Sequence, residues 1–324
     1  MNARTRPLLQ VDVFSATPYL GNALAVVLMA EDLSDAAMQR FARWTNLAET
    51  TFILPPTPEA AAAGADYQVR IFTTARELPF AGHPTLGSCH AWLEHGGQPT
   101  DPGCIVQQCK AGLVRIRREG SRLAFAAPPL QRQAIDNAVL PALLAALGLQ
   151  ARQVVASQQL VNGPSHLGLL LDSQHTVLEL TPDFAALKAA LAAAGCGGVG
   201  VAALAPAEPD SSLILRSNRE ARAFDGNAAA QTTSEDDGGE EEAPGVEVRM
   251  FADGQVVSED PVTGSFNASL AQWLIAEGHT PPMYLAAQGR CIDRAGRIYI
   301  EQDGAGQVWV GGDVLTCTAG VVSI

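Results

Sequence analysis

Glu49, His83 and Asp260 are the side chains of this sequence best placed, by type and neighbours, to move a proton. Glu49 opens the apolar run Thr50-Thr51-Phe52-Ile53-Leu54, where a carboxylate turned into a cleft would lose much of its water. Desolvation disfavours the charged form, which brings such a group towards giving and taking a proton near neutral pH. His83 lies in Phe80-Ala81-Gly82-His83-Pro84, and Asp260 lies in Glu259-Asp260-Pro261-Val262-Thr263-Gly264-Ser265. In the second stretch Asp260 reads as an N-cap and Pro261 as the first helical residue, with Leu270, Trp273 and Leu274 on an apolar face. The free N–H groups of a helix entrance bind anions, so a substrate carboxylate or phosphate would sit against Gly264 and Ser265. An imidazole and a carboxylate at two such entrances suit acid/base work on a ligand between them. The plainer alternatives are two helix caps and a solvated strand-end glutamate.

Other chemistries find little support. His83, Cys89, His90 and His95 are close in sequence, but their spacings match no zinc signature, and no metal is expected. There is no Gly-x-Ser-x-Gly elbow for a nucleophilic serine and no Gly-x-Gly-x-x-Gly or Walker loop for a nucleotide. The six cysteines form no Cys-x-x-Cys pair and are expected to be reduced thiols. A formal net charge of −13 over 324 residues, without a long basic run, argues against nucleic acid. Six of the acidic residues fall between Glu235 and Glu242, so residues 232–244 read as a solvated loop. Met1 to Gln10 is polar and passes straight into a strand pattern, and no apolar run is long enough for a signal peptide or a membrane span. The expected location is the cytoplasm.

The elements that must position these residues alternate between strand and helix patterns. Leu8 to Phe14 and Ala23 to Met29 read as strands, Ala36 to Trp44 as a helix, and Asn46 to Leu54 as a turn entering a strand. Glu59 to Ala65 reads as a surface loop, Tyr67 to Phe72 as a strand, and Cys89 to His95 as a short helix. Further helices are predicted over Leu140 to Leu147 and Pro182 to Ala194, and a three-strand meander over Tyr284 to Gly312. Val69-Arg70-Ile71-Phe72 reappears as Val248-Arg249-Met250-Phe251, and Ala111-Gly112-Leu113-Val114-Arg115-Ile116 as Ala295-Gly296-Arg297-Ile298-Tyr299-Ile300. Between them, His83-Pro84-x-x-Gly87-Ser88 aligns with Asp260-Pro261-x-x-Gly264-Ser265. Three matches in one order imply two similar α+β halves, residues 1–128 and 129–324, whose helix entrances can face one cleft.

The set Gly21-Asn22, Asn46-Leu47-Ala48-Glu49-Thr50-Thr51-Phe52, Leu78-Pro79-Phe80-Ala81-Gly82-His83-Pro84 and Glu259-Asp260-Pro261-Val262-Thr263-Gly264-Ser265 resembles the phenazine-biosynthesis F-type (PhzF-like) isomerase family. The resemblance runs from about Val11 to Gly312. It implies a diaminopimelate-epimerase-like fold: two halves, each a curved, mostly antiparallel sheet, an open barrel, around a central helix. The C-terminal strand is free to return to the first half. It further implies an isomerase without metal or organic cofactor. Glu49 would shuttle a proton between carbons of a small cyclic amino-acid-like carboxylate, with His83, Asp260 and Ser265 assisting. The resemblance implies that N–H groups near Gly82 and Gly264 hold the substrate carboxylate, and it suggests a homodimer; Asn22 and Phe266 are also expected on the substrate. The phenazine enzymes carry small residues where this chain has Phe266 and Asn267, so Phe266 is expected to set ligand choice. Two rivals share the fold: a binding protein without turnover, and a two-thiol racemase, for which Cys89 has only Phe266 as its counterpart in the repeat.

Overall fold

The structure, a computed structural model, describes residues 4–206, 243–252 and 258–324. The expected acidic loop falls largely outside them, since residues 207–242 are not described. Strands β1 (Thr5–Val13), β2 (Asn22–Val27), β3 (Thr50–Leu54), β4 (Tyr67–Phe72), β5 (Glu77–Leu78), β6 (Cys104–Cys109), β7 (Gly112–Glu119) and β8 (Arg122–Ala126) make the first part of the sheet. Helices α1 (Asp35–Thr45), α2 (Pro58–Ala62) and α3 (Gly82–Glu94) are set among them. The later part holds β9 (Gln131–Gln133), α4 (Leu140–Leu147), β10 (Val154–Val161), β11 (Ser165–Leu171), α5 (Gln174–Leu178), α6 (Phe184–Ala194) and β12 (Gly198–Leu204). It continues with β13 (Val246–Ala252), β14 (Glu259–Asp260), α7 (Gly264–Ala276), β15 (Met283–Gln288), β16 (Gly296–Gln302) and β17 (Val308–Gly312), and the chain closes with β18 (Val314–Ser323).

The strand pairings repeat. β1 pairs antiparallel with β2, β2 parallel with β3, β3 antiparallel with β4, β4 parallel with β6, and β6, β7 and β8 form a meander. β10 to β17 repeat that order of parallel and antiparallel ladders, with β13 parallel to β15 in the place of β4 and β6. The ladder from Trp309↔Ala126 to Gly312↔Leu123 joins β17 to β8, and β18 crosses back to pair with β1 along its length. The fold is α+β with an open sheet, β18 and the short β9 forming its two edges.

Each half wraps one central helix. Leu86, Cys89 and Ala91 of α3 are buried with Val11, Val13, Leu24, Ile71, Ile116 and Phe125 from the strands around them. Ala268, Leu270, Trp273 and Leu274 of α7 are buried with Val248, Ile298 and Val310 in the same continuous core. A helix apolar on every side is one enclosed by its own sheet, and this explains why neither segment shows a clean amphipathic stripe. The remaining helices cover the outer faces. Leu143, Leu147, Leu187 and Leu191 from α4 and α6 pack on Leu169 and Val201, while Met38 and Ala42 of α1 pack on Phe52 and Phe72.

Three expectations change. Glu59 to Ala65 contains the helix α2, capped by the Thr57 hydroxyl accepting from the Ala60 N–H, because Thr-Pro-Glu supplies cap, N1 proline and first-turn acid. The helix expected from Cys89 begins seven residues earlier, at Gly82, because its apolar residues face a surrounding sheet. The N-terminus of α7 lies at Gly264 with Thr263 as its N-cap residue, so Asp260 belongs to β14 and does not cap the helix.

That last change moves the register of the repeat. Ile71↔Leu78 and Phe72↔Glu77 in the first half correspond to Met250↔Asp260 and Phe251↔Glu259 in the second. The ion pairs Arg70–Glu77 and Arg249–Glu259 occupy matching places, and each helix starts five residues beyond its glutamate. The structural counterpart of His83 is therefore Ser265, and that of Asp260 is Leu78. The His-Pro and Asp-Pro match at 83 and 260 is a slip of five residues, produced by a shared Pro-x-x-Gly-Ser spacing.

Candidate active site

α3 and α7 meet N-terminus to N-terminus. A Cβ on Gly82 would lie 2.7 Å from both the Cα and the carbonyl carbon of Gly264 and 2.8 Å from the Ser265 nitrogen. Only glycine permits this approach of two backbones. Neither helix has a side chain capping its first turn or an acidic residue within it. Two positive macrodipole ends and the N–H groups of their first turns thus converge at one point, an arrangement that favours negative charge there.

Glu49 reaches the same region from the turn between α1 and β3. α1 ends at Asn46 in the left-handed conformation, φ 57°, and Thr45 Oγ1 to Thr50 Oγ1 at 2.9 Å ties the end of the helix to the strand. Glu49 Oε2 stands 3.4 Å from His83 Nε2, with 17% of the Glu49 side chain exposed and 5% of the His83 side chain. Burial, and then the charge of Asp260, push the Glu49 carboxyl up to about 8. Burial holds the His83 imidazole down at about 3. At neutral pH this pair is a neutral carboxylic acid beside a neutral imidazole, and Glu49 is the member able to deliver a proton.

Asp260 is fixed by two donors. Its Oδ2 accepts from Thr263 Oγ1 at 2.6 Å and its Oδ1 from Asn22 Nδ2 at 2.8 Å. Burial raises its carboxyl to about 6 against the opposing pull of these two hydrogen bonds. Gln288, on β15, completes the frame: its Oε1 accepts from the Thr263 N–H and Asn267 Nδ2, and its Nε2 donates to the Asp260 carbonyl.

The structure thus gathers Glu49, His83, Asp260, Gly82, Gly264 and Ser265 about one junction between the halves. Ser265, the second residue of α7, is pinned through its carbonyl by Asn162 Nδ2 at 2.9 Å. Two predicted substrate contacts, Phe266 and Asn22, are instead engaged by protein. Phe266 is fully buried with its ring in van der Waals contact with Gly200 and edge-on to His166, so it fills the second half's core and does not line the cleft. The helix turn after Ser265 aims it away from α3. Asn22 is also buried, and its amide hydrogens go to protein acceptors. Thr263 and Gln288 carry the frame that residue-by-residue reading missed. Thr263 lies within the Glu259 to Ser265 motif, whereas Gln288 comes from a strand end with no local signal of its own.

The thiol rival loses its footing in this geometry. The residues at equivalent helix entrances are His83 and Ser265, and Cys89, nearly two turns deeper in α3, is buried with its thiol pushed up to about 12.

Comparison with known proteins agrees with the fold. The family model for phenazine biosynthesis-like protein (PhzC-PhzF) matches residues 11–320. The chain is 31% identical over 326 residues to antisense-enhancing sequence 1 of Schizosaccharomyces pombe, covering 96% of each protein. It is 36% identical over 180 residues to trans-2,3-dihydro-3-hydroxyanthranilate isomerase of Pseudomonas aeruginosa, covering 55% of this chain and 61% of that enzyme. Among solved structures, a PhzF-family protein of Bacillus anthracis superposes with a TM-score of 0.74 at 19% identity, covering 99% of this chain and 100% of that one. A hydroxyproline epimerase from Agrobacterium vitis superposes with a TM-score of 0.61 at 13% identity, covering 99% and 93%.

Proposed function

Because the chain belongs to the phenazine biosynthesis-like (PhzC-PhzF) isomerase family, we propose that Glu49 moves a proton between two carbons of a small, cyclic, carboxylate-bearing and amino-acid-like substrate. The observation that carries this reading is a carboxyl raised to about 8, set 3.4 Å from a neutral imidazole at a glycine-lined junction of two uncapped helix N-termini. The substrate carboxylate lies against the N–H groups at Gly82 and Gly264, which orients the ring over Glu49. Glu49 in its acid form gives its proton to an electron-rich carbon. The resulting carboxylate removes a proton from a second carbon of the same ligand and is restored to the acid. One proton enters and one leaves, so the product is an isomer and no co-reactant is consumed. His83 faces the Glu49 oxygen, and Asp260 raises the affinity of Glu49 for its proton. Ser265 is the polar side chain at the second helix entrance.

The reading requires neither metal nor organic cofactor, and the family setting favours a cytoplasmic enzyme. Among the described residues, no helix is long and apolar enough to cross a membrane. The test is to incubate trans-2,3-dihydro-3-hydroxyanthranilate and a panel of cyclic amino-acid carboxylates with chelator-treated, dialysed protein and follow them by proton NMR. Conversion of one of them to an isomer of equal mass is expected. Binding without conversion across the panel would favour the receptor reading, and conversion only after a metal ion is added back would overturn cofactor independence.

A further inference from the structure

Asn22 lies at the start of β2, in the first half, yet its amide reaches into the second. Asn22 Nδ2 is 2.8 Å from Asp260 Oδ1, 2.9 Å from the Val262 carbonyl oxygen and 3.3 Å from His83 Nδ1. The first two partners are acceptors, so the amide nitrogen and not its oxygen must face them. This fixes the amide's orientation. The amide nitrogen has two hydrogens and no lone pair to offer, so a hydrogen on His83 Nδ1 would point at a donor. His83 Nδ1 is therefore bare, and the ring's single proton is on Nε2, the atom 3.4 Å from Glu49 Oε2.

We propose that Asn22 is a positioning residue that locks His83 in its Nε2–H tautomer, so that the ring presents a donor to Glu49. A donor at that place matters at one moment of the cycle. At 3.4 Å His83 Nε2 makes no hydrogen bond in the structure; when Glu49 has given up its proton, a small shift that brings the N–H onto its oxygen stabilises the carboxylate until a proton is recovered. With the opposite tautomer, a bare Nε2 would face the carboxylate with a lone pair, favour the acid form and oppose transfer. The same amide holds Asp260 in place, so one side chain sets the orientation of an acid/base neighbour in each half. The catalytic consequence rests on the reading of Glu49 as the proton carrier, whereas the tautomer itself does not.

The experiment is a long-range proton–nitrogen NMR spectrum of the protein labelled with nitrogen-15 in its histidines at pH 7, with the His83 signals assigned by their loss in His83→Gln. The expected result is the Nε2–H tautomer in the native protein. In Asn22→Asp the fixed amide donor is gone and the two carboxyls that then face each other share a proton, so His83 is expected to lose its exclusive Nε2–H form, with Nδ1–H populated. If Asn22→Asp does not fold, Asn22→Ala serves, with the native Nε2–H signal giving way to a tautomer mixture. A native Nδ1–H tautomer, or an Nε2–H ring unmoved by these substitutions, would overturn the proposal. In the isomerisation assay, Asn22→Asp should lower kcat roughly tenfold or more with KM changed less, as expected when an acid/base group is misaligned and binding is spared. A switched tautomer with unchanged turnover would refute the role for Asn22 in turnover while leaving the assignment of the ring intact, and a failure of native turnover on every substrate would bear on the functional reading alone.

Discussion

On the proposed function Glu49 concentrates the chemistry, because it is a buried carboxyl with no cation beside it among the described residues. A folded-state value near 8 means that the acid form prevails at neutral pH and that turnover falls as pH rises through about 8. Asp260, raised to about 6, adds its charge above that value, so a rate profile highest between about 6 and about 8 is expected, measured as kcat/KM against pH. The same shift has a consequence for stability. The unfolded glutamate ionises near 4.5 and the folded one near 8, so the folded state binds the extra proton between those values. Its stabilising contribution is complete below the unfolded value, declines across that window and is lost above about 8. Glu49→Gln should therefore gain thermal stability relative to the native protein as pH rises from 5 to 9, seen as a melting-temperature difference that grows and then levels off. The burial of Glu49 was legible in the sequence only as one of two readings, since a strand-end glutamate is ordinarily solvated, and the family resemblance favoured the cleft. The inward aim of Phe266 was not legible, because a residue just past a helix entrance can face cleft or core, and only packing against Gly200 decides.

At the scale of elements, the site is the meeting of α3 and α7, and its tolerance is set by the absence of two Cβ atoms. Gly82→Ala would drive a methyl into the Gly264 backbone, which cannot rotate away as a side chain could. The expected cost is about 1–3 kcal/mol in denaturant unfolding, with turnover reduced roughly 100-fold if the helices separate by about 1 Å. The repeated arginine–glutamate pairs test the revised register. Arg249 is buried, pairs with both oxygens of Glu259 and donates to the Val177 and Leu180 carbonyls. Arg249→Met leaves Glu259 enclosed without its partner and should cost about 3–5 kcal/mol. Arg70→Met, at the more open copy, should cost about 1 kcal/mol or less in the same urea titration. The strand repeats were readable because Val-Arg-Ile-Phe and Val-Arg-Met-Phe preserve an alternating pattern with one charged position. The helix entrances were misaligned because Pro-x-x-Gly-Ser recurs at different depths in the two copies. Short identities among glycines and prolines carry less positional information than a strand that must pair on both sides.

At the scale of the whole molecule, two sheets with the same ladder order face their helices toward a common junction, and the β8–β17 ladder and returning β18 make one continuous sheet of the chain. The duplication made this architecture visible in the sequence. The junction could not be read there, since Asn22 and Asp260 are 238 positions apart and meet only after both halves have folded. No half holds the site by itself: Glu49 and His83 come from one, Asp260 and Ser265 from the other. The central claim is that a single carboxyl in this shared cleft carries the proton. Its most direct measurement is deuterium incorporation at ligand carbon, read by NMR in heavy water with trans-2,3-dihydro-3-hydroxyanthranilate and the cyclic amino-acid carboxylates as probes. Native protein should introduce deuterium into the ligand it isomerises, and Glu49→Gln, which keeps the shape and loses the titratable group, should slow that exchange by roughly 10²–10⁴-fold. Exchange at the native rate in Glu49→Gln would contradict the account.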